Sequence, residues 1–353
     1  MGIRISSLAA VGIAAVLALT ACSAAPEPTS PPAGESPAAP SNTEAPPAED
    51  DFDAAKYSLA GKTIGVAVVG TQHFWDREAF QGAVDEIERL GGTAMTTDGG
   101  RDNTVHAQNH DVFLSSKVDA VITILGDASV DPKLKALNDA GIPVFGVDHA
   151  SEYAVNNSQS DNLAAGKYAG EMTVEALAGK KAKVAVFNAF SESLSFCNER
   201  YQSWKEVLTA AGIEIIQPEL AEQFANAPED ARQQTLTLLQ KHGAGEIDAV
   251  HVACWDQPAI GVVQAIEESG RTDVFVSAID AGPDTLEIMM EDNSPFKINV
   301  AQQPRLIATT AARNVARHLH GEQVEKISEL PVFPAMGPQQ AEEVFLKLGY
   351  DQQ

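Results

Sequence analysis

Short apolar runs that alternate with helical segments are the feature that most constrains this chain. The run "KTIGVAVVG" at residues 62–70 is followed by the helical spacing of "DREAFQGAVDEIERLGG", and "VDAVITILG", "DPKLKALNDAG" and "IPVFGVDH" repeat that order. Strands that alternate with helices of about 10 to 15 residues indicate a parallel sheet with helical crossovers. Buried parallel strands are apolar along their whole length, as these runs are.

The same pattern starts again after residue 161. "KVAVFNAF", "IDAVHVACWD" and "DVFVSAID" are strand-like, and amphipathic segments lie between them. The sequence therefore predicts an α/β fold with two doubly wound parallel-sheet lobes. Ligands of such sheets bind outside the carboxyl ends of the strands, so two facing lobes would enclose one cleft.

The N-terminus has the pattern of an export signal. Leu8–Leu19 is an apolar run of about 12 residues, whereas a membrane span needs about 20. A short basic segment, a short apolar run and small residues at its end predict a secretory signal peptide over residues 1–21. Leu19-Thr20-Ala21-Cys22 resembles the lipobox of bacterial lipoproteins, which implies that Cys22 is the lipidated N-terminus of the mature protein.

A spacer is predicted over residues 22–56. It is rich in Pro, Ala, Ser and Glu, and large apolar side chains are almost absent before Phe52. Such a segment buries too little surface to offset its ordering entropy, and its prolines keep it extended. We expect a disordered tether that holds a folded domain away from a membrane.

Composition and motifs argue against nucleic-acid binding and catalysis. The formal net charge of −25 repels nucleic acid and anionic lipid. The folded part contains no G-x-S-x-G, H-E-x-x-H or C-x-x-C motif, and "DGGRDN" at Asp98 does not fit the calcium-loop pattern. The eight histidines are scattered. We therefore expect no enzyme, no cofactor and no metal.

The motifs, taken in order, are similar to those of the type I periplasmic sugar-binding proteins, close to the ribose-binding branch. "GTQHFWDREAFQGAVDEIERLGG", "SDNLAAGKYAGE", "AIDAGPDTLEIM" and "AQQPRLIATTAARNVARHLHGEQV" carry the resemblance, which covers roughly residues 62–336. It implies two lobes joined by a three-crossing hinge near Ser160, Gln302 and Phe333. The N-terminal lobe would hold residues 57–160 with 303–332, and the C-terminal lobe residues 161–302 with 333–353.

The resemblance also implies a sugar site at the strand ends. Sugars present C–H faces that pack on aromatic rings and hydroxyls that need hydrogen-bond partners. The matching positions are Gln72, Phe74, Trp75, Asp127, Asp148, His149, Asn162, Asn198, Phe224, Trp255, Asp280 and Gln302. Arg200 matches an arginine that is expected to be structural or at the cleft edge.

Some of these positions have a second interpretation. Asp127 has the alternative role of a helix N-cap, and Asn162 that of a cap of the helix that follows it, alone or together with ligand binding. Trp255 either stacks on the ligand or packs under the hinge. One of the adjacent rings of Phe74 and Trp75 could instead belong to the core.

Three positions depart from the family pattern. His149 and Asn198 stand where the related proteins have arginine, and Trp255 stands where they have asparagine. The site keeps its acceptors and loses strong donors, which favours a small neutral sugar or polyol over an acidic sugar. Cys197 and Cys254 follow strands expected to be neighbours, and either pair as a disulfide or remain free thiols.

The resemblance and the export signal together predict a lipid-anchored, monomeric solute-binding protein of an ABC importer, on the extracytoplasmic face of the cell membrane. The alternative is a lipoprotein of the same fold whose liganded form is read by a membrane sensor. A cytoplasmic sugar-responsive repressor is rejected, because it needs a DNA-binding segment and a basic face.

Overall fold

The computed structural model describes residues 52–352, and these form two lobes, each built on a six-stranded sheet. The predicted signal peptide, Cys22 and the tether up to residue 51 lie outside the described residues. The predicted class, two α/β lobes with mostly parallel sheets and a cleft between them, is confirmed.

The N-terminal lobe is a parallel sheet covered by helices on both faces. Its strand order is β11-β5-β4-β3-β1-β2. Its strands are β1 (Thr63–Val68), β2 (Thr93–Asp98), β3 (Ala120–Ile124), β4 (Val144–Val147), β5 (Ala154–Ser160) and β11 (Ile327–Leu330). Its helices are α1 (Phe74–Arg89), α2 (Asn103–Ser116), α3 (Asp131–Asp139) and α9 (Pro304–Leu319).

The C-terminal lobe has the strand order β12-β10-β9-β8-β6-β7, and β12 alone is antiparallel to its neighbour. Its strands are β6 (Lys183–Phe187), β7 (Glu214–Ile215), β8 (Ala249–Val252), β9 (Phe275–Asp280), β10 (Phe296–Ala301) and β12 (Phe333–Met336). Its helices are α4 (Asn162–Leu177), α5 (Ser195–Ala210), α6 (Ala227–Lys241), α7 (Gln257–Glu268), α8 (Pro283–Met290) and α10 (Gly337–Lys347), with a final 3₁₀ turn at Tyr350–Gln352.

The central strands form as the sequence predicts because apolar side chains can be buried on both sheet faces. Strands β3, β4 and β8 are buried at every position. Each face of each sheet packs on its own apolar cluster under the helices. These cores fix the strand ends, and the strand ends position the cleft residues.

Strand β5 has no apolar signal and was not predicted. Its buried residues include Asn156 and Ser158, and their side chains are satisfied by hydrogen bonds. Asn156 donates to Ser328 at 3.0 Å and accepts from Asn314 at 3.1 Å, while Ser158 donates to Asn156 at 3.0 Å. A buried polar strand is stable when its groups are paired in this way.

Three chain segments join the lobes, and hydrogen bonds link them to one another. They run from Ser160 to Asp161, from Gln302 to Gln303, and across Pro331. The Asp161 amide donates to the Leu330 carbonyl at 2.9 Å, and Ser160 Oγ donates to Gln302 Oε1 at 2.8 Å. Gln303 Nε2 donates to the Pro331 carbonyl at 2.8 Å. The three-crossing hinge therefore acts as one bonded layer.

Residues 52–56, assigned to the tether by composition, already contact the N-terminal lobe. The Phe52 ring lies 5.1 Å from the Tyr57 ring and 5.1 Å from the Arg317 guanidinium on α9. Lys56 and Tyr57 both donate to Glu322 at 2.7 Å. Within residues 52–352, no helix combines the length and apolarity that a membrane crossing needs.

Candidate ligand-binding site

A cavity of about 260 Å³ lies between the lobes, at the carboxyl ends of both sheets. This is the position that the predicted topology favours for a ligand. The N-terminal lobe contributes Val69, His73, Trp75, Asp76, Arg101, Asn103, Leu125, Gly126, Asp127 and Asp148. The C-terminal lobe contributes Phe190, Ser193, Leu194, Phe196, Arg200, Phe224, Cys254, Trp255 and Asp280.

Arg200 lies at the centre of the site and is 2% exposed. It projects from the first turns of α5 in the C-terminal lobe. Its guanidinium donates to Asn162 Oδ1 at 2.8 Å, to the Cys254 carbonyl at 2.5 Å and to Gln302 Oε1 at 3.0 Å. A buried cation is tolerated only when it is paired and hydrogen-bonded, and these contacts meet that requirement.

Two buried carboxylates, one from each lobe, flank Arg200. Asp148 follows β4 and lies 3.4 Å from Arg200 Nη2, while Asp280 ends β9 and lies 3.3 Å from Arg200 Nη1. Burial raises the pKa of Asp148 to about 6 and that of Asp280 well above its usual range, and the Arg200 charge opposes both shifts. Both residues have positive φ, 45° and 119°, which is uncommon outside glycine and frequent at functional sites.

Gln302, at the second crossing, connects the lobes through its side-chain amide. Its oxygen accepts from Trp75 Nε1 at 3.1 Å, from Ser160 and from Arg200. Its nitrogen donates to Asp280 Oδ1. The amide thus fixes the indole ring of one lobe against the carboxylate of the other.

The C-terminal wall of the cavity is aromatic. The rings of Phe224 and Trp255 stack with centroids 5.6 Å apart and planes 28° apart. Phe190 meets both rings edge-on, at 5.9 Å and 6.4 Å. Such a wall matches the C–H surface of a polyhydroxy ligand.

The N-terminal wall carries charged groups that are paired. Arg101 Nη2 donates to Asp76 Oδ2 at 3.1 Å, and Asn103 Nδ2 donates to Asp127 Oδ2 at 3.0 Å. Asp127 Oδ1 accepts from the Ser129 amide at 2.9 Å, so this carboxylate holds the loop ahead of α3 and also lines the cavity.

A buried ion pair joins the lobes beside the cavity. His73 Nε2 lies 3.2 Å from Asp256 Oδ1, and His73 Nδ1 lies 3.6 Å from Asp76 Oδ1. Burial lowers the pKa of His73, but the hydrogen bonds to Asp256 and Asp76 outweigh burial and raise it to about 10. His73 is therefore a cation at neutral pH.

The group His73, Asp256 and Asp280 has the composition of a metal site, with ligand atoms within 4.8 Å of one another. Asp256 accepts from the Gly282 amide at 2.9 Å and from Thr285 Oγ1 at 2.7 Å, besides its contact with His73. Asp280 is held by Arg200 and Gln302. Protein groups account for these side chains, and we assign no metal here.

The structure brings together half of the residues predicted for the site. Those that line the cavity are Trp75, Asp127, Asp148, Phe224, Trp255 and Asp280. Their contact with a ligand stays a prediction. The alternative role of Asp127 as a helix N-cap is wrong, because the N-cap of α3 is Val130. Asp127 instead accepts from the Ser129 amide and so orders the loop before that helix.

Asn162 and Gln302 lie behind the cavity wall. The Asn162 oxygen accepts from Arg200, and Asp161, not Asn162, caps α4 through the Ala164 amide at 2.9 Å. The oxygen and the nitrogen of the Gln302 side-chain amide are both used by protein groups. We therefore interpret the two residues as supports for Arg200 and Trp75 instead of cavity-lining groups.

Two residues near the first strand point away from the cavity. Phe74 packs in the apolar core of the C-terminal lobe, with its ring 5.2 Å from that of Tyr350. Successive helix residues differ by about 100°, so Phe74 and Trp75 at the start of α1 cannot face the same surface. Gln72 is exposed and is not among the lining residues.

His149 and Asn198 also lie outside the cavity. His149 Nδ1 is 3.0 Å from the Gly126 carbonyl, and its Nε2 is 3.5 Å from Asp131. Both ring nitrogens therefore contact protein groups of the N-terminal lobe. Asn198 is exposed on α5, and its oxygen accepts from Gln202 at 3.3 Å.

The sequence interpretation missed His73, Asp76, Arg101 and the central role of Arg200. Arg200 lies two residues after Asn198, and the helical turn directs that side chain, and not Asn198, into the cleft. Arg101 belongs to the "DGGRDN" segment, which does not fit a calcium loop and was not predicted to take part in the site. A cationic side chain within a glycine-containing loop at a strand end was the available signal.

Cys197 and Cys254 form a disulfide, with Cα atoms 4.7 Å apart. The bond connects the first turn of α5 to the end of β8. A small apolar cluster that contains both cysteines and Trp255 surrounds it. Of the two alternatives left open by the sequence, the structure contains the disulfide.

Comparison with known proteins places the chain. The family model for the periplasmic binding protein domain matches residues 64–323. The chain belongs to this family. It is 24% identical over 273 residues to the ribose import binding protein of Escherichia coli strain K12, covering 76% of this chain and 88% of that protein.

Two solved structures are more similar in sequence. An ABC sugar transporter subunit from Rhodobacter sphaeroides 2.4.1 is 38% identical, with a TM-score of 0.76, covering 79% of this chain and 99% of that one. An ABC transporter solute-binding protein from Agrobacterium vitis with bound allitol is 36% identical, with a TM-score of 0.79, covering 82% and 100%. These relatives are binding proteins of ABC transporters and not enzymes, and the type I periplasmic binding protein fold is confirmed.

Proposed function

We propose that this protein is the lipid-anchored solute-binding component of an ABC importer and that it binds a small neutral sugar or polyol by closure of its lobes. The observation that carries the proposal is the cavity itself: it combines an aromatic wall, buried carboxylates from both lobes, and cations that are already paired.

Charge pairing supports a neutral ligand. Arg200 is matched by Asp148 and Asp280, Arg101 by Asp76, and His73 by Asp256. An anionic ligand would find no unpaired cation among the residues that line this cavity, and it would meet carboxylates instead. Hydroxyl groups can both donate to the carboxylates and accept from the guanidinium groups.

Cavity size and relatives support a small polyhydroxy compound. Pockets for drug-sized ligands span about 300–1,000 Å³, and this cavity of about 260 Å³ is below that range, which favours a single small sugar or polyol over an oligosaccharide. The Agrobacterium vitis relative holds allitol, and the Rhodobacter sphaeroides relative is a sugar transporter subunit.

Closure is supported by the contributions of both lobes. Asp148 belongs to one lobe and Asp280 to the other, so a ligand that contacts both gains full contact only when the lobes are together. Differential affinity for the closed state is the driving force for such a change. Hinges of a few connecting residues permit closure without repacking either core.

A ligand screen by thermal shift tests the proposal. We expect pentitols, hexitols and neutral pentoses or hexoses to include a stabilising ligand, because a ligand at 100 times its dissociation constant adds about 2.7 kcal/mol. D-Glucuronate and sugar phosphates are expected to give no shift. Stabilisation by the charged compounds alone would contradict the proposal.

The Asp280→Asn variant tests the site with whichever neutral ligand the screen identifies. It removes a charged acceptor, and charge-assisted hydrogen bonds contribute about 1.5–3 kcal/mol, so calorimetry should show affinity at least tenfold lower. Asp139→Asn, at an exposed carboxylate that is 65% accessible, is the matched control. Equal affinities in the two variants, with both folded by circular dichroism, would place the ligand elsewhere.

The proposal of a lipid anchor rests on the lipobox-like sequence Leu19-Thr20-Ala21-Cys22. Cys22→Ala should shift the protein from the membrane fraction to the soluble extracytoplasmic fraction, and Ser23→Ala should leave it membrane-bound. Retention of the Cys22→Ala variant on membranes would contradict the anchor.

Co-purification from crosslinked cells identifies the membrane partner, and capture of a sensor in place of an importer permease would contradict the transport role.

A further inference from the structure

Arg101 occupies an unexpected place in the cavity. It belongs to the N-terminal lobe, yet its guanidinium carbon lies 4.6 Å from the centroid of the Phe224 ring and 5.3 Å from that of Trp255, both in the C-terminal lobe. These two rings are the stacked pair of the aromatic wall. Arg101 therefore covers the surface that a sugar ring would use.

The position of Arg101 is built into the loop between β2 and α2. Its backbone has φ of +66°, and its amide donates to the Val69 carbonyl at 2.7 Å. Its Nη2 is held by Asp76 at 3.1 Å, and its side chain is 16% exposed. A non-glycine residue in this left-handed conformation is strained and persists only where its surroundings impose it.

Gly70 makes room for the same side chain. A Cβ atom at Gly70 would lie 2.6 Å from Arg101 Cγ, 2.8 Å from the Arg101 backbone nitrogen and 2.6 Å from Gln72 Oε1, the end of an exposed, flexible side chain. Real Cβ atoms do not approach so closely, so a larger residue at position 70 would displace Arg101. Both the loop conformation and its neighbour thus serve to place this guanidinium over the rings.

The consequence concerns ligand shape. A cyclic sugar uses a flat C–H face that packs on an aromatic ring, whereas here a guanidinium already engages those faces by cation–π contact. The rest of the cavity offers polar groups: Asp148 Oδ1, Asn103 Oδ1 and Arg101 Nε are buried and have no hydrogen-bond partner within the described part of the chain. An open-chain polyol can bend its hydroxyls toward such scattered groups and needs no stacking face.

We propose that Arg101 makes the cavity selective for open-chain polyols over cyclic sugars. The proposal rests on the proposed function and narrows its ligand class. A different role, that of a fastener between the lobes, would make Arg101 important for every ligand alike. The ratio of affinities for paired ligands separates the two roles.

The experiment is calorimetry with matched pairs: xylitol and D-xylose, ribitol and D-ribose, galactitol and D-galactose. For at least one pair, wild-type protein should bind the polyol about tenfold or more tightly than its cyclic sugar. Arg101→Met removes the charged end of the guanidinium while keeping an unbranched side chain of similar length up to the Nε position, and should reduce that ratio about tenfold. Arg305→Met, at a side chain of the same lobe that is 49% exposed, should leave it unchanged.

Gly70→Ala provides a second route to the same result, because it displaces Arg101 without replacing it, and should also lower the ratio. Equal wild-type affinity for both members of every bound pair would overturn the inference while leaving the proposed function intact. So would a uniform loss of affinity in folded Arg101→Met with the ratio preserved. If wild-type protein binds no member of any pair, and the broader screen finds no neutral ligand, the proposed function fails as well.

Discussion

The two lobes share one fold and differ in what they place at the cleft. Strands β2-β1-β3-β4-β5 of the N-terminal sheet correspond in order to β7-β6-β8-β9-β10 of the C-terminal sheet. Asp148 follows β4 and Asp280 ends β9, so even the two central carboxylates occupy corresponding positions. Beyond that pair, the N-terminal lobe presents His73, Asp76 and Arg101 with a single indole ring, whereas the C-terminal lobe presents Arg200 among several aromatic rings.

This contrast shows that the scaffold and the site chemistry follow different rules. Apolar strands and crossover helices repeat because each lobe must bury both faces of a parallel sheet. The strand ends that line the cleft carry no such requirement, because they face the cavity. A charged wall and an aromatic wall together match a molecule that has both hydroxyls and C–H surface.

Loss of Arg200 should have the largest effect on stability and binding, because this one cation balances a carboxylate from each lobe. In Arg200→Met, Asp148 and Asp280 lose their shared partner. Removing one member of a buried pair costs about 3–5 kcal/mol, so urea unfolding at pH 7.5 should show a loss of that size. Ligand binding should be lost as well.

The matched control for that variant is Arg305→Met, which breaks only exposed ion pairs with Glu78 and Asp85 and should change the free energy of unfolding by about 1 kcal/mol or less. The Arg200→Met defect should also shrink at pH 5, because protonation removes the charge from the two carboxylates. A defect of equal size at both pH values would show that lost packing, and not uncompensated charge, is the cause.

Reduction of the Cys197–Cys254 disulfide should destabilise the C-terminal lobe alone. The bond spans a sequence separation of 57 residues, and a loop of that length predicts a loss of about 4 kcal/mol when the crosslink is absent. Hydrogen exchange of the Cys197→Ala, Cys254→Ala double variant should show faster exchange in β6 and β8, with β1 and β3 unchanged. Equal acceleration in both lobes would contradict this assignment.

Mild acid should weaken the N-terminal lobe more than the C-terminal lobe. Burial lowers the pKa of His106 to about 3 and that of His110 to about 4, and these rings lie in the N-terminal lobe. Burial also lowers the pKa of His251 in the C-terminal lobe to about 3. The unfolded chain binds protons near pH 6.5, where the folded lobes do not, so stability is fully present above that pH and falls as the pH decreases.

Each buried histidine should cost about 1.4 kcal/mol per pH unit between its unfolded and folded pKa values. Hydrogen exchange resolved by lobe, compared at pH 7.5 and pH 5, measures the difference. His110→Gln should reduce the acid loss of the N-terminal lobe and leave that of the C-terminal lobe as it was. An equal loss in both lobes of the wild-type protein would refute the prediction.

Phe224→Ala should give the smallest effect, confined to ligand binding. The ring is 36% exposed, so its removal costs little stability. Phe224 is a ring that the Arg101 guanidinium contacts, and a cation–π contact contributes about 0.5–1 kcal/mol at exposed sites, so loss of this support for Arg101 corresponds to a roughly two- to fivefold loss of affinity by calorimetry. Leu346→Ala, at an exposed apolar residue of the same lobe, should bind as wild type does. Unchanged affinity in Phe224→Ala would remove the aromatic wall from the site.

The parts of the fold that could be predicted from sequence are those in which burial requires apolar side chains. Strands β1, β3 and β8 are such runs. Strand β5 was not predicted because Asn156 is satisfied by Asn314 and Ser328, which are more than 150 residues away in sequence, and Ser158 in turn donates to Asn156. A polar strand of this kind becomes recognisable only when its partners are known.

The strand-end residues of the candidate site were predicted to line the cavity and do so, whereas helical phase or loop conformation decided the positions that the sequence misassigned. Asp148 and Asp280 are strand-end residues and line the cavity. Phe74 and Arg200 depend on helical phase, and one or two positions decide which side chain enters the cleft. Arg101 depends on a left-handed backbone conformation, which composition does not reveal.

The bonded hinge has a mechanical consequence. The three crossings lie side by side, and hydrogen bonds join Ser160 to Gln302 and Asp161 to Leu330. We expect such a layer to bend more easily than it twists or shears. Such a joint leaves the molecule one soft coordinate. Any receptor that gauges the separation of the two lobe surfaces then reads the occupancy of the cavity as a single number, without touching the ligand.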